Sequence, residues 1–409
     1  MTTYKQVQET AKRLYGTKAG RHGRTEMEMV RHTFFFLSAI VAAVLPLAAA
    51  PQEDRRASSE STLMYVGPYT RQESKGIYAY RYAAASGELT PIGLAAESLN
   101  PSWLLTHPDG QFLYAANESE GTVSAFSIDR STGLLTLLNR VSAGGRTPCH
   151  LVIEKTGKYL MVANYGSGGV ASFPIQEDGS LGEPAAIMQH SGHSIGRRQR
   201  GPRAHAVVLS PDHRFLFVPD LGLDQVVSYA LDATNGGLTP TEQRFVKITQ
   251  GSGPRHMAFH PNGRFAYVNS EMGSLVTAFS YDAENGALAQ MQVSSTIPAE
   301  FTEENNTAEI GVHPNGRFLY VSNRGHDSIA IFGVHPDTGM LSFVEHTSTQ
   351  GKIPRSFAID PKGQFLFVAN QETDNIVQYR IDQNTGRLTP TGKIVEVDAP
   401  VSMEFLTAK

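Results

Sequence analysis

Several short stretches of this chain carry proton-transfer and anion-binding side chains where no turn requires them. Cys149 and His150 stand together, His205 follows, then Arg255 with His256, Glu309, and Arg355 with Ser356. Each opens an apolar run: PCHLVIE, RAHAVVL, PRHMAFH, AEIGVHP and PRSFAID. Histidine and glutamate can move protons, and arginine can neutralise an anion or a developing oxyanion. A second series, Asn164, Asp220, Glu271, Asn323, Arg324 and His326, falls after other apolar runs. Buried charge is costly unless it is paired. These residues therefore form either an internal salt-bridge network around a wet channel or an anion-binding site with an acid–base pair. The second reading is preferred here.

The stretch MQHSGHSIGRRQRGPRAHAV, Met188 to Val207, adds Arg197, Arg198, Arg200 and Arg203 together with His190, His193 and His205. Arginine grips carboxylate or phosphate in two-pronged fashion, although a solvated basic loop would have the same composition. Trp103 is the only tryptophan and opens another apolar run. It suits packing between elements better than stacking on a substrate ring. Tyr165-Gly166-Ser167-Gly168-Gly169 lacks the first glycine and the strand–turn–helix setting of a nucleophile elbow. Neither HExxH nor a phosphate-binding P-loop is present, and the single cysteine rules out an intramolecular disulfide or a polycysteine metal site. No metal and no cofactor is expected.

The elements that must position these groups form a repeat. HPDGQFLYAAN, EKTGKYLMVAN, SPDHRFLFVPD, HPNGRFAYVNS, HPNGRFLYVSN and DPKGQFLFVAN begin at 107, 154, 210, 260, 313 and 360, so successive units lie 47, 56, 50, 53 and 47 residues apart. Alternating apolar residues bounded by Pro, Asn and Gly make strands and tight turns. A strand-only repeat of that length predicts propeller blades. Seven first strands can be marked, at Pro101, Pro148, Arg203, Pro254, Ala308, Pro354 and Pro400, and seven third strands at Lys75, Gly121, Gly168, Asp224, Ser274, Asp327 and Asp374. TLMYVGPYT at Thr62 lacks a preceding first strand, and PVSMEFL at Pro400 lacks a following second strand. These two fragments should pair and close the ring, leaving no open edge. The expectation is an all-β fold over residues 61–409: one seven-bladed β-propeller of four-stranded blades, with N-terminal and C-terminal strands sharing a blade.

In such a meander, alternate connections lie on opposite faces. The HPNG-type turns, with His107, His260 and His313, share one face and read as structural. The first-strand starts crowd the axis on the other, so residues about 50 apart in sequence can meet there.

The net charge of −4 gives no ground for nucleic-acid binding, and 18% charged with 40% hydrophobic residues suits a folded domain. Residues 1–60 read as leader and linker. Phe34 to Ala50 is uncharged, follows Arg31 and His32, and ends in alanines beyond Pro46, as in a secretory signal. Met27 or Met29 would give that leader an ordinary length. The protein is expected to be exported, periplasmic or extracellular, and to meet a membrane only if residues 34–50 are retained as an anchor. A monomer is expected.

YVGPYT, NPSW, TPCH, VANYGSGGVASFPI, GPRAH, VPDLGLDQV, GPRHMAFHPNGRFAYV, AEIGVHPNGRFLYVSNRGHDSIAIF and PRSFAIDPKGQFLFVANQETDNI resemble the seven-bladed propeller lactonases, which include propeller-type 6-phosphogluconolactonases. The resemblance implies metal-independent hydrolysis of a sugar lactone, a small and anionic substrate. It also extends to carboxymuconate lactonising cycloisomerases, and a non-catalytic binding propeller is the remaining alternative. Where the family commonly carries His-x-His after Gly-Pro, this chain has Arg203 and His205. On this footing His150 or His205 is the expected base with Glu309 orienting it. Arg255 would steady the oxyanion, and Arg324 or Arg355 would hold the substrate's anionic group. Arg203, His326 and Asn164 complete the expected binding set.

Overall fold

The computed structural model describes residues 61–406 apart from Gln72; the leader, the alternative starts and residues 407–409 lie outside the described residues. Every regular element described is a β-strand, and the strands form seven four-stranded sheets. Six are simple antiparallel meanders in chain order. The seventh is built from both ends: Pro400–Phe405, then Ser61–Pro68, Gly76–Ala83 and Glu88–Glu97. Met64 pairs with Phe405 and Val66 with Met403, and Leu406 N donates to Leu63 O at 2.8 Å. The ring is thus closed by hydrogen bonds between the two ends of the domain, as the unmatched sequence fragments require.

Each blade buries both faces against its neighbours, so the core is a circle of inter-blade clusters. Across the closure, Met64, Val66 and Tyr82 pack with Phe365, Phe367 and Phe405. The second-strand tyrosines also reach the next blade. Tyr114 donates to Gly179 O at 2.9 Å, Tyr267 to Gly339 O at 3.0 Å and Tyr320 to Gly386 O at 2.9 Å. Those glycines hold φ of 84°, 68° and 72°, a left-handed turn conformation that favours glycine. The HPNG-type histidines do the same on their own face. His107, His260 and His313 each donate from Nε2 to the turn carbonyl of the next blade, Gly157, Gly316 and Gly363, at 2.8–2.9 Å. They are inter-blade ties. Each neutral hydrogen bond of this kind contributes about 1 kcal/mol.

One first strand departs from the expected pattern. The run from Arg203 is regular only at Val208–Leu209, with a lone bridge between Ala204 and Asp220. The Asp220 carboxylate intervenes: it accepts from Arg203 N at 2.7 Å, from Gly222 N at 2.9 Å and from His190 Nδ1 at 2.7 Å. This pins the long arginine-rich loop to the blade in place of continuous ladder pairing.

Candidate active site

Two registers of the repeat supply the site. In the first strands, Trp103 pairs opposite Ala116, His150 opposite Ala163, His256 opposite Asn269, Ser356 opposite Ala369 and Ser402 opposite Gly67. His205 N donates to Pro219 O and Glu309 N to Ser322 Oγ, which sets both at the same level. This register therefore brings Trp103, three histidines, Glu309 and two serines round the axis. The second register is the residue following the Asn, Ser or Pro at the end of the second strands, or in one blade the strand's last residue. It supplies Tyr69, Glu118, Tyr165, Glu271 and Arg324.

Bulges add the remaining arginines. Pairing slips between Pro254 and His256 and again between Pro354 and Ser356, which makes Arg255 and Arg355 bulge residues. Adjacent strand residues normally point to opposite faces. A bulge re-aims one of them, and Arg255 Nη1 accordingly comes to 3.0 Å from Nε2 of its own neighbour, His256.

At the centre, His256 Nδ1 donates to Glu309 Oε1 at 2.9 Å, while Nε2 accepts from Arg255. Both bonds are met by the neutral tautomer with its proton on Nδ1. Arg255 Nη1 also donates to Ala308 O at 2.6 Å. Beside this pair, Glu271 gathers cations: Arg198 at 2.6 Å, Arg255 at 3.0 Å and Arg324 at 3.1 Å, with His205 at 3.8 Å. Arg355 is less occupied. It lies 3.9 Å from Glu118 and its guanidinium is 5.3 Å from the centre of the Tyr69 ring, whose hydroxyl donates to Glu118 at 2.8 Å.

The wall is aromatic. Trp103 and His150 stack with ring centroids 3.9 Å apart, and His256 meets both rings edge-on at 5.4 and 5.2 Å. The Tyr165 ring lies 5.3 Å from that of His205, and the Arg203 guanidinium sits over it at 5.1 Å.

Burial and charge then set the proton affinities. Burial lowers His150, His205 and His256 well below the usual imidazole range. His256 adds to this at His150, and Arg255 adds to it at His205 and His256. All three are neutral near pH 7. Burial alone would raise the Glu271 carboxyl, but Arg324, Arg255 and Arg198 outweigh it and hold the group at about 2. At Glu309 burial wins over Arg255, and the carboxyl is pushed up to about 7. Two carboxyls in one site are thus driven apart, a pattern that marks acid–base assignments.

Of the residues expected from the sequence, His150, His205, Arg255, Glu309, Arg324, Arg355 and Arg203 gather here. Glu309 is bonded to His256, and the bond expected with His150 or His205 is not formed. Asn164 and His326 serve elsewhere. Asn164 Nδ2 donates to Ala143 O at 2.8 Å, as Asn323 and Asn370 do to Thr296 and Thr349, each acceptor lying just past the last strand of the preceding blade, so it is one of a series of inter-blade ties. His326 bonds Ser328 and meets the Phe301 and His346 rings. The sequence reading missed Tyr69, Glu118 and Tyr165; the signal was their shared place one residue beyond each second strand. Among the described residues, no three or more His, Cys, Asp or Glu side chains converge as a metal site requires.

The family model described as "Lactonase, 7-bladed beta-propeller" matches residues 63–405. A 6-phosphogluconolactonase of Bacillus subtilis is 40% identical over 344 residues, covering 84% of this chain and 97% of that protein. Another from Formosa agariphila is 35% identical, covering 72% and 86%. The solved structure of a periplasmic gluconolactonase from Pseudomonas aeruginosa superposes with a TM-score of 0.81 at 35% identity, covering 85% of this chain and 99% of that one. With its axial acid–base cluster carried on seven closed blades, the chain belongs to the seven-bladed β-propeller lactonase family.

Proposed function

We propose that this protein opens a sugar lactone with water to give the aldonic acid, and that its substrate carries an anionic group. The observation that carries this reading is the buried His256–Glu309 pair set among Arg198, Arg255, Arg324 and Arg355. The activity named for the similar proteins supports it.

Glu309 acts as the base. Its proton affinity, at about 7, suits general-base work near neutrality, whereas the three buried histidines hold protons too weakly. His256 orients the carboxylate through its Nδ1 proton. Arg255, fixed between Glu271 and Ala308, faces the charge that develops on the lactone carbonyl oxygen. Arg355 has the least committed guanidinium and takes the substrate's phosphate or carboxylate, with Arg203 at the rim. The stacked Trp103 and His150 give the sugar ring an apolar wall.

Export rests on the Phe34–Ala50 stretch and on likeness to a periplasmic relative. Cell fractionation tests it.

The deciding experiment is pH-stat titration of acid release from δ-gluconolactone and its 6-phosphate. Arg255→Ala, with native near-ultraviolet circular dichroism, should lose at least about a hundredfold in kcat/KM, as removal of one oxyanion donor commonly does. No acid release from either lactone, or loss of the ultraviolet band of a conjugated diene acid instead, would replace this reading.

A further inference from the structure

A half-buried carboxyl unused by the chemistry above lies on the C-terminal first strand. Glu404 is two residues beyond Ser402, so it sits about 6.5–7 Å further along the axis than the ring of Trp103, Glu309 and Ser356. Its Oε1 accepts from Thr106 N at 2.9 Å and from Thr106 Oγ1 at 2.7 Å, and no described contact occupies Oε2.

Glu404 and Glu309 line one cavity of about 260 Å³, together with Ser356, Ser402, Gly311 and Val312. At ~30 Å³ per molecule that volume holds several waters. Its far end belongs to the opposite face of the ring. Thr106 and Val312 immediately precede the HPDG and HPNG turns. The cavity therefore leads from the acid–base pair away from the substrate side.

The chemistry needs such a route. When a lactone is hydrolysed, water oxygen bonds to the carbonyl carbon and the ring C–O bond breaks. The ring oxygen keeps one proton and the new carboxyl ionises. The balance is lactone plus water giving carboxylate, hydroxyl and one proton. Glu309 must shed that proton before the next cycle. On the substrate side stand Arg198, Arg255, Arg324 and Arg355, whose positive charge opposes a departing proton.

We propose that Glu404 is a proton-relay residue, which takes the proton released at Glu309 through the axial cavity and passes it to the face of the HPNG-type turns. This rests on the lactonase reading. Burial pushes Glu404 up to about 7 against the pull of the Thr106 bonds, level with Glu309, so the two carboxyls exchange a proton without a large uphill step.

The test compares the full-length protein with Glu404→Gln on δ-gluconolactone and its 6-phosphate, using whichever the wild type opens faster and measuring the remaining lactone as its hydroxamate. Buffer of pKa near 7 is varied from about 1 to 50 mM at fixed ionic strength. The variant's kcat should fall at least tenfold in dilute buffer, with KM within twofold, and should recover as buffer rises. The wild type should be indifferent to buffer. A structural defect would not be repaired by buffer. If Glu404→Gln does not fold, Thr106→Val carries the test, since losing the hydroxyl bond should slow turnover in the same buffer-sensitive way. A variant as fast as wild type in dilute buffer, or slow at every buffer concentration, overturns the relay. A wild type that opens no lactone overturns the enzymatic reading instead.

Discussion

Glu271→Gln is the sharpest probe of the charge balance in this site. The substitution keeps volume and removes one charge from a group only 4% exposed, contacted by Arg198, Arg255 and Arg324. The native carboxyl sits at about 2 against an ordinary value of 4.5. At about 1.4 kcal/mol per unit, native contacts favour the ionised form by about 3 kcal/mol. The depressed native value means this stability is complete above pH 4.5 and drains away as pH falls toward 2. At pH 3.5 about 2 kcal/mol should remain. Over roughly 345 folded residues the unfolding entropy is about 0.7 kcal/mol per degree, so the variant should melt about 4 °C lower at pH 7. The assay is paired thermal scans and urea titrations at pH 7 and 3.5. Equal melting at pH 7, or a difference that widens in acid, would refute the view that the arginines govern this carboxyl.

Glu309→Gln should behave in the opposite way. Its native value of about 7 lies above the ordinary 4.5, so ionising it costs stability that builds from pH 4.5 to 7. The variant should be more stable than wild type by about 3 kcal/mol at pH 8 and equal to it near pH 4, by urea denaturation. Its kcat should drop about 10²–10⁴-fold, and the wild-type rate should rise through about pH 7 as the base ionises. Deleting residues 400–409 removes the first strand of the closing blade and exposes the Ser61–Pro68 edge. The truncated protein should aggregate or lose its cooperative transition, as followed by light scattering and circular dichroism.

The blade count was legible because its signals are local. Pro and Gly punctuate every turn, period-two alternation marks every strand, and the unmatched fragments at Thr62 and Pro400 imply each other. The arginine and histidine positions were legible for a related reason, since a charged residue opening an apolar strand has no turn to explain it. Partner choice was not legible. Glu309 could have faced His150, His205 or His256, and only the ring geometry, which sets neighbouring blades side by side, selects His256. Arg255 next to His256 would be expected to point away from it, and the bulge that brings them together leaves no mark in PRHMAF. The tie made by Asn164 was not legible, because a polar residue ending a strand looks the same whether it faces a ligand or bonds the preceding blade. Glu404 lies mid-strand in PVSMEFL, where alternation alone does not separate the axis from the inter-blade core.

The contrast between Glu271 and Glu309 follows from how each is surrounded, because both are buried and both lie near Arg255. Glu271 follows a second strand, at the level where the loop arginine Arg198 and the strand-end Arg324 can both reach it, and three guanidinium contacts overcome the burial cost. Glu309 sits on the first strand at the hub, where its close partner is a neutral imidazole and its other neighbours are the aromatic wall and the axial cavity. Arg255 is shared between the two: its Nε lies 3.0 Å from Glu271, and its pull on Glu309, the strongest of the charges there, does not overcome the burial of that carboxyl. Removing Glu271 should therefore free Arg255 to stabilise the Glu309 carboxylate. In Glu271→Gln the pH at which turnover rises should fall below that of wild type, and a kinetic pH profile measures this coupling directly.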